Sequence, residues 1–433
     1  MSVNQYQLFQ IQKKDLEVNR MANKTQLFTR NFLTITFIST ILRFTFSLRG
    51  SILALYFRSL GISIVDIGLI SMFGSIGFAV FEPILGFLSD RIDRKKFLVF
   101  GMLGVSIITF LYTLGSTVWH FFLLSFLMSA VMAGITVSTR ALIATVLPSS
   151  KKGRNYGIYM AIASVGGIIA PIIGGYLAGA INYYVPFYLG SLIIFFGFII
   201  ALTLKVERKQ NFQEKSPKTE GTVSAEKGKF GSLKYFATIG FLTFFFTRFF
   251  QTFVMFFSRS ILPVYLKESP TFLASEAEIG VILSLASIVA CPMQLVSGTL
   301  ADRVGHKKLL LFGLVSSGIL ILFFPMIGNM FQMGLFQVLY NIANVSYMIS
   351  MMMVLMETIP RQYYGTAMGF YGLAEDFGGM AGPLIIGPLY ENSGITFSVY
   401  ALSIAFFIDA GLALASFKTF IKRKTEEKII TRE

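Results

Sequence analysis

A shift of 212 residues lays this chain on itself: Gly86, Asp90 and Arg91 fall on Gly298, Asp302 and Arg303. Pro148, Gly153 and Gly157 fall on Pro360, Gly365 and Gly369, and Gly166, Gly167, Pro171 and Gly175 fall on Gly378, Gly379, Pro383 and Gly387. Chance likeness between apolar segments would match Leu and Phe. These matches fall on Gly, Pro, Asp and Arg instead. The chain is a tandem duplication, and each half must build a similar unit.

The halves are built for hydrocarbon. Hydrophobic residues make up 54% of the chain and charged residues 14%, where a soluble domain carries about 25% charged. Runs longer than about 18 apolar residues recur, each long enough to cross a core of about 30 Å as a helix. Twelve such spans are predicted, near 31–59, 66–88, 97–117, 119–146, 155–180, 185–205, 235–266, 279–300, 308–327, 330–356, 364–389 and 396–418. A parallel repeat in such a chain predicts an all-α membrane protein with two pseudo-symmetric six-helix bundles.

The net charge of +15 raises the question of nucleic acid. Its distribution answers otherwise. Basic residues cluster in alternate loops, at Arg91, Arg94, Lys95 and Lys96, at Lys151, Lys152 and Arg154, and at Arg303, Lys307 and Lys308. The opposite loops carry scattered ones, such as Arg58 and Lys267, and hold Glu268, Glu276, Glu278 and Glu391. This is the positive-inside pattern, which predicts a multi-pass protein of the cell membrane with both termini in the cytoplasm. No soluble stretch is large enough for a nucleic-acid face.

The mixed-charge stretch 207–233, with its Gly, Ser and Pro, reads as a flexible cytoplasmic linker. The expected organisation is a tail over 1–30, a bundle over 31–206, the linker over 207–233, a second bundle over 234–418 and a tail over 419–433. Cys291 is the single cysteine, so no disulfide framework or thiolate metal site is expected. No P-loop, His-Glu-x-x-His pattern or placeable nucleophile–base pair points to an enzyme, and no cofactor or metal is expected.

Between spans 2 and 3 stands Gly86-Phe-Leu-Ser-Asp90-Arg91-Ile-Asp93-Arg94-Lys95-Lys96, repeated as Gly298-Thr-Leu-Ala-Asp302-Arg303-Val-Gly305-His306-Lys307-Lys308. A small residue one turn before the Asp lets a neighbouring helix approach, and the carboxylate can meet the positive end of another helix. The loop closely resembles the hallmark G-x-x-x-D-R-x-G-R-K loop of the major facilitator superfamily. In that family it acts as a gating latch that stabilises the outward-open state, which the resemblance implies for Gly86, Asp90, Arg91, Arg94, Gly298, Asp302 and Arg303. Asp93 stands where the family has Gly. Asp tolerates a left-handed turn, so the loop is expected to survive.

Span 5 reads Gly166-Gly167-Ile-Ile-Ala170-Pro171-Ile-Ile-Gly174-Gly175. It is similar to the antiporter signature of the drug–proton exchanger branch, with Ala170 replacing one Gly. Plain close packing explains the same glycines. The resemblance spans about 31–418, and it implies alternating access and a functional monomer.

Charges inside spans are costly and point to function. Arg43 and Arg49 lie in span 1, and Arg248 and Arg259 in span 7, where eleven residues put the latter two on one helix face. Arg49 and Arg259 also lie where snorkelling to the outer surface is open to them. Glu82 stands eight residues before Asp90, about 12 Å into span 2. Glu375 and Asp376 are adjacent in span 11, and Asp409 is in span 12. A carboxyl in low dielectric takes up a proton readily, which suits a coupling site. Its alternative is a static ion pair, with Arg140 a ready partner. Arg43, Arg248, Glu82, Glu375, Asp376 and Asp409 are the candidates for binding or coupling. The expected function is a proton-coupled exporter of amphipathic or cationic compounds; its rival is a transporter of an anion held by Arg43 and Arg248. A membrane receptor or scaffold on the same fold is the reading from another class. The expected partners are a small-molecule substrate, protons and the lipid bilayer.

Overall fold

The computed structural model describes residues 28–89, 93–147, 152–204, 239–358 and 364–430. Asp90, Arg91 and the linker 207–233 lie outside them. Span 1 is Arg30–Gly50 continued by Leu53–Ser59. Spans 2 to 6 are Ile64–Ser89, Arg94–Leu111, Val118–Val146, Lys152–Ala180 and Tyr184–Leu202. Span 7 is Ile239–Phe256, loosened by a π-turn over Phe257–Ile261 and resumed as Leu262–Glu268. Span 8 is Glu276–Val304, span 9 His306–Leu322 and span 10 Met330–Thr358.

Nine helical stretches among the described residues have the length and apolarity to cross a bilayer, one of them the 48-residue Met368–Ala415. That stretch is twice a span long, and it breaks at Gly394, where φ is 77° and ψ −175°. It therefore crosses twice, as spans 11 and 12 of Tyr364–Ile430. His306–Leu322 leaves span 8 at 120°, and Met330–Thr358 has the length of a span with a more polar sequence. With these the crossings number twelve. Residues 419–430, expected as a tail, continue the helix to Ile430; Lys, Glu and Arg are good helix formers.

Both halves pack alike. Span 1 lies against spans 5 and 6, span 2 against 4, and span 3 against 4 and 6. In the second half, span 7 lies against spans 11 and 12, span 8 against 10, and span 9 against 10 and 12. Two seams join the halves, span 5 on span 8 and span 2 on span 11. Even numbers of crossings place the termini on one face, called here the termini face; the opposite one is the far face.

The repeat differs at one turn. Gly305 takes φ 98°, a conformation that favours glycine. Its counterpart Asp93 does not adopt the left-handed turn expected of it. It has φ −58° and caps span 3, its Oδ1 accepting from the Lys95 N–H at 2.9 Å. A side-chain acceptor satisfies the free helix end there in place of a turn.

Arg49 is likewise corrected. It is buried rather than snorkelled, with its guanidinium 5.0 Å from the Phe46 ring centre and 5.1 Å from that of Tyr112. Aromatic faces stabilise the cation where water is absent.

Candidate functional site

Charged side chains from both halves converge at the span 2–span 11 seam. Glu82 of span 2 pairs with Arg140 of span 4, Oε1 to Nη1 at 3.0 Å. Facing them, Arg248 of span 7 pairs with Glu375 of span 11. The Arg248 guanidinium also donates to Gln251 Oε1 at 2.6 Å and stacks 4.4 Å from the centre of the Tyr371 ring. Asp376 is half-buried beside this pair, within electrostatic reach of Glu375, Glu82 and Arg248. Arg140 in turn reaches Tyr371 across the seam. Arg259 lies within reach of Glu375, which puts it on the Arg248 side of span 7 as the eleven-residue spacing predicts.

Four of the six candidates thus share one cleft: Glu82, Arg248, Glu375 and Asp376. The other two do not join them by any described contact. Arg43 is exposed on span 1, with its guanidinium 3.7 Å from Met160 Sδ and no carboxylate partner among the described residues. Asp409 is 1% exposed inside the second bundle, where its Oδ1 accepts from Thr247 Oγ1 at 2.8 Å. Hydropathy places a residue at a depth but not on a side of its helix, so Asp409 and Glu375 look alike in sequence. Tyr371 was not foreseen, because one ring among so many aromatics carries no mark of its neighbour.

The glycine motif packs span 5 both within its bundle and across a seam. A methyl group at Gly166 or Gly174 would strike the backbone of span 1, at Thr40 and Leu48 respectively, and one at Gly175 would strike Glu276 of span 8. One at Gly167 would stand 3.3 Å from Ser47 Oγ, tighter than ordinary contact. In the repeat, Gly378 and Gly382 lie against Phe249 and Phe253 of span 7, and Gly379 against Ser75 of span 2. Backbone contact of this kind needs residues without side chains.

On the far face the seams are locked. Arg58 donates to both carboxylate oxygens of Glu268, at 2.7 and 3.1 Å. Tyr183 donates to Glu276 Oε1 at 2.6 Å, and Lys267 reaches the same oxygen at 2.9 Å. Burial, and then the Glu276 carboxylate, hold the Tyr183 phenol well above its ordinary pKa, so it stays a donor. Glu391 accepts from the Val65 N–H at 2.9 Å. Toward the termini face the close approaches end: an added Cβ at Gly86, Gly298, Gly369 or Gly372 would meet nothing within 4 Å. Asp302 and Arg303 are exposed there. The halves lean together at the far face and part toward the termini.

This architecture has known relatives. Residues 35–251 and 245–432 each match the model of the Major Facilitator Superfamily. The chain belongs to the major facilitator superfamily. As such it is a membrane transporter, and the two matches fall on the two halves of the repeat. It is similar to the multidrug resistance protein MdtG of Proteus mirabilis (strain HI4320), 27% identical over 382 residues, covering 86% of this chain and 92% of that protein. MdtG of Enterobacter lignolyticus (strain SCF1) is 28% identical over 383 residues, with coverage of 86% and 90%. Among solved structures, a bacterial homolog of the human lysosomal transporter Spinster, inward-facing and unoccupied, shares the fold with a TM-score of 0.74 at 17% identity, covering 92% of this chain and 98% of that one. The nucleoside transporter NupG shares it with a TM-score of 0.71 at 17% identity, covering 90% and 99%.

Proposed function

We propose that this superfamily member is a proton-coupled exporter of small amphipathic or cationic compounds, working by alternating access. The observation that carries the reading is Asp376. It is a half-buried carboxylate in the cleft that makes no salt bridge among the described residues, beside the engaged Arg248–Glu375 pair. A cation fits such a place, held by the carboxylate. The MdtG relatives, named for multidrug resistance, support the same cargo.

The basic loops assign the termini face to the cytoplasm. The locked far face then makes this an inward-open state. Substrate enters from the cytoplasm and displaces the proton of Asp376. The bundles rock about the two seams, Arg58–Glu268 and Tyr183–Glu276 part, and a proton from outside replaces the substrate. Glu82–Arg140 and Arg248–Glu375 hold their charges in pairs, which leaves Asp376 as the carboxylate of the cleft that exchanges a proton for cargo.

An anionic cargo is the second reading, favoured by Arg43, which has no carboxylate partner among the described residues. Purified transporter in liposomes with an imposed proton gradient separates the two. Lipophilic cations should move and small organic anions should not; anion movement that is lost in Arg248→Gln would overturn the exporter.

A further inference from the structure

A groove of about 510 Å³ opens on the membrane-facing side of the first bundle, where spans 2, 3 and 4 meet. Phe81 and Leu85 of span 2, Phe97 and Phe100 of span 3, and Gly134 of span 4 line it, and Lys96 stands at its mouth. The groove is hollow because span 4 presents Gly134 where a larger side chain would close it. An added Cβ there would stand 3.4 Å from Leu85 Cδ1, in ordinary contact.

Its polarity runs in one direction. Lys96 is the third residue of span 3, so its amine sits at the membrane interface, and it is exposed with no ion pair among the described residues. The neighbouring Lys95 is already engaged, its Nζ donating to the Leu202 carbonyl at 2.9 Å. Phe81 is eight residues from the end of span 2, about 12 Å deeper in the hydrocarbon. A cation at headgroup level above an apolar slot matches a phosphate above an acyl chain.

In the second half the residues that face each other across the groove are replaced. Leu85 and Gly134 become Ser297 and Ser346, whose hydroxyls lie 3.3 Å apart in the buried core. Gly101 on the groove wall and its image Gly313 make the same contact, with Val131 and Ile135 in the first half and with Ala343 and Tyr347 in the second. Lys308 occupies the place of Lys96 beside this buried serine pair. The repeat therefore supplies its own control, a lysine beside a polar contact in place of Leu85 and Gly134.

We infer that the groove is a binding site for one anionic phospholipid of the bilayer, with an acyl chain between spans 2, 3 and 4 and its phosphate on Lys96. A lipid seated there anchors the ends of spans 2 and 3, between which the Gly86–Lys96 loop runs. This holds whichever cargo the transporter carries.

The chain has one tryptophan, Trp119, which makes a reporter simple. Trp119→Phe with Phe100→Trp places a single fluorophore on the groove rim, in bilayers containing brominated phosphatidylglycerol or brominated phosphatidylcholine. Quenching should favour the anionic lipid by about fivefold, the weight of one lysine at a charged surface. Lys96→Gln should abolish that preference and Lys308→Gln should leave it. Gly134→Leu should weaken quenching by both lipids, and Ala130→Leu serves if that variant does not fold. Equal loss of preference in Lys96→Gln and Lys308→Gln would reduce the effect to diffuse surface charge and overturn the site. Unchanged quenching in the filled groove would overturn it as well.

Discussion

The carbonyl of Pro171 in span 5 bears directly on Gly280 of span 8, so closely that a methyl group on Gly280 would collide with it. Exactly 212 residues separate these from their images, and the repeat holds in space: an added Cβ at Gly68 of span 2 would stand 3.0 Å from the Pro383 carbonyl of span 11. The two seams between the bundles are one contact made twice. Each sits in the far-face half of the molecule, and in the proposed rocking cycle it is the pivot.

Gly280→Ala should therefore push the far faces apart. Overpacking of this kind costs about 1–3 kcal/mol, enough to shift the closed-to-open ratio about fivefold or more. Spin labels at Ile181 and Leu273, both exposed at the far face, report the distance on a Cys291→Ser background. It should lengthen in the variant; an unchanged distance would refute the pivot.

Arg58 and Glu268 are each partly exposed, at 32% and 42%, so their ion pair should contribute only about 0.2–1 kcal/mol. Arg58→Glu and Glu268→Arg should each open the far face slightly, and the charge-swapped double variant should restore it. The same label pair reads the cycle. A double variant no better than the singles would show that the pair does not lock the face.

Asparagine separates the cleft carboxylate from the buried one. Asp376→Asn should abolish proton-driven uptake into inverted vesicles while leaving substrate exchange at equal proton concentration. Asp409→Asn keeps the acceptor for Thr247 and should leave both. Proton coupling that survives Asp376→Asn and fails in Asp409→Asn would move the coupling site into the second bundle.

The Tyr183–Glu276 bond should carry its own pH dependence. The phenol is held above its ordinary value of 10 by burial and the carboxylate. Its stabilisation is thus fully present below about pH 10 and is lost as pH rises through the elevated value. A hydrogen bond to a charged group is worth about 1.5–3 kcal/mol. The thermal midpoint of Tyr183→Phe should lie below that of the parent by a constant margin from pH 6 to 9, shrinking in stronger alkali. A margin that vanishes already near pH 7 would contradict this bond.

The twelve crossings and the duplication were legible because insertion in a bilayer depends on local length and apolarity, which a linear sequence carries in full. The glycines of Gly166 to Gly175 were legible for a related reason: only residues without side chains permit backbone contact. Which backbone they touch was not, since Gly166 and Gly174 meet span 1 whereas Gly175, one residue on, meets span 8. Gly68 and Gly280 lay in the same register, unmarked by any motif.

The sequence by itself determined how many times the chain crosses, where its halves repeat, and how deep each charge lies. Only the tertiary structure decided that Arg248 stacks on Tyr371 and pairs with Glu375, that Arg140 neutralises Glu82, and that Asp409 is sealed away against Thr247. Depth is set by distance along one helix. Partnership is set by the rotation of two helices about their axes, and that rotation follows from packing of the whole bundle, which no single stretch of residues encodes.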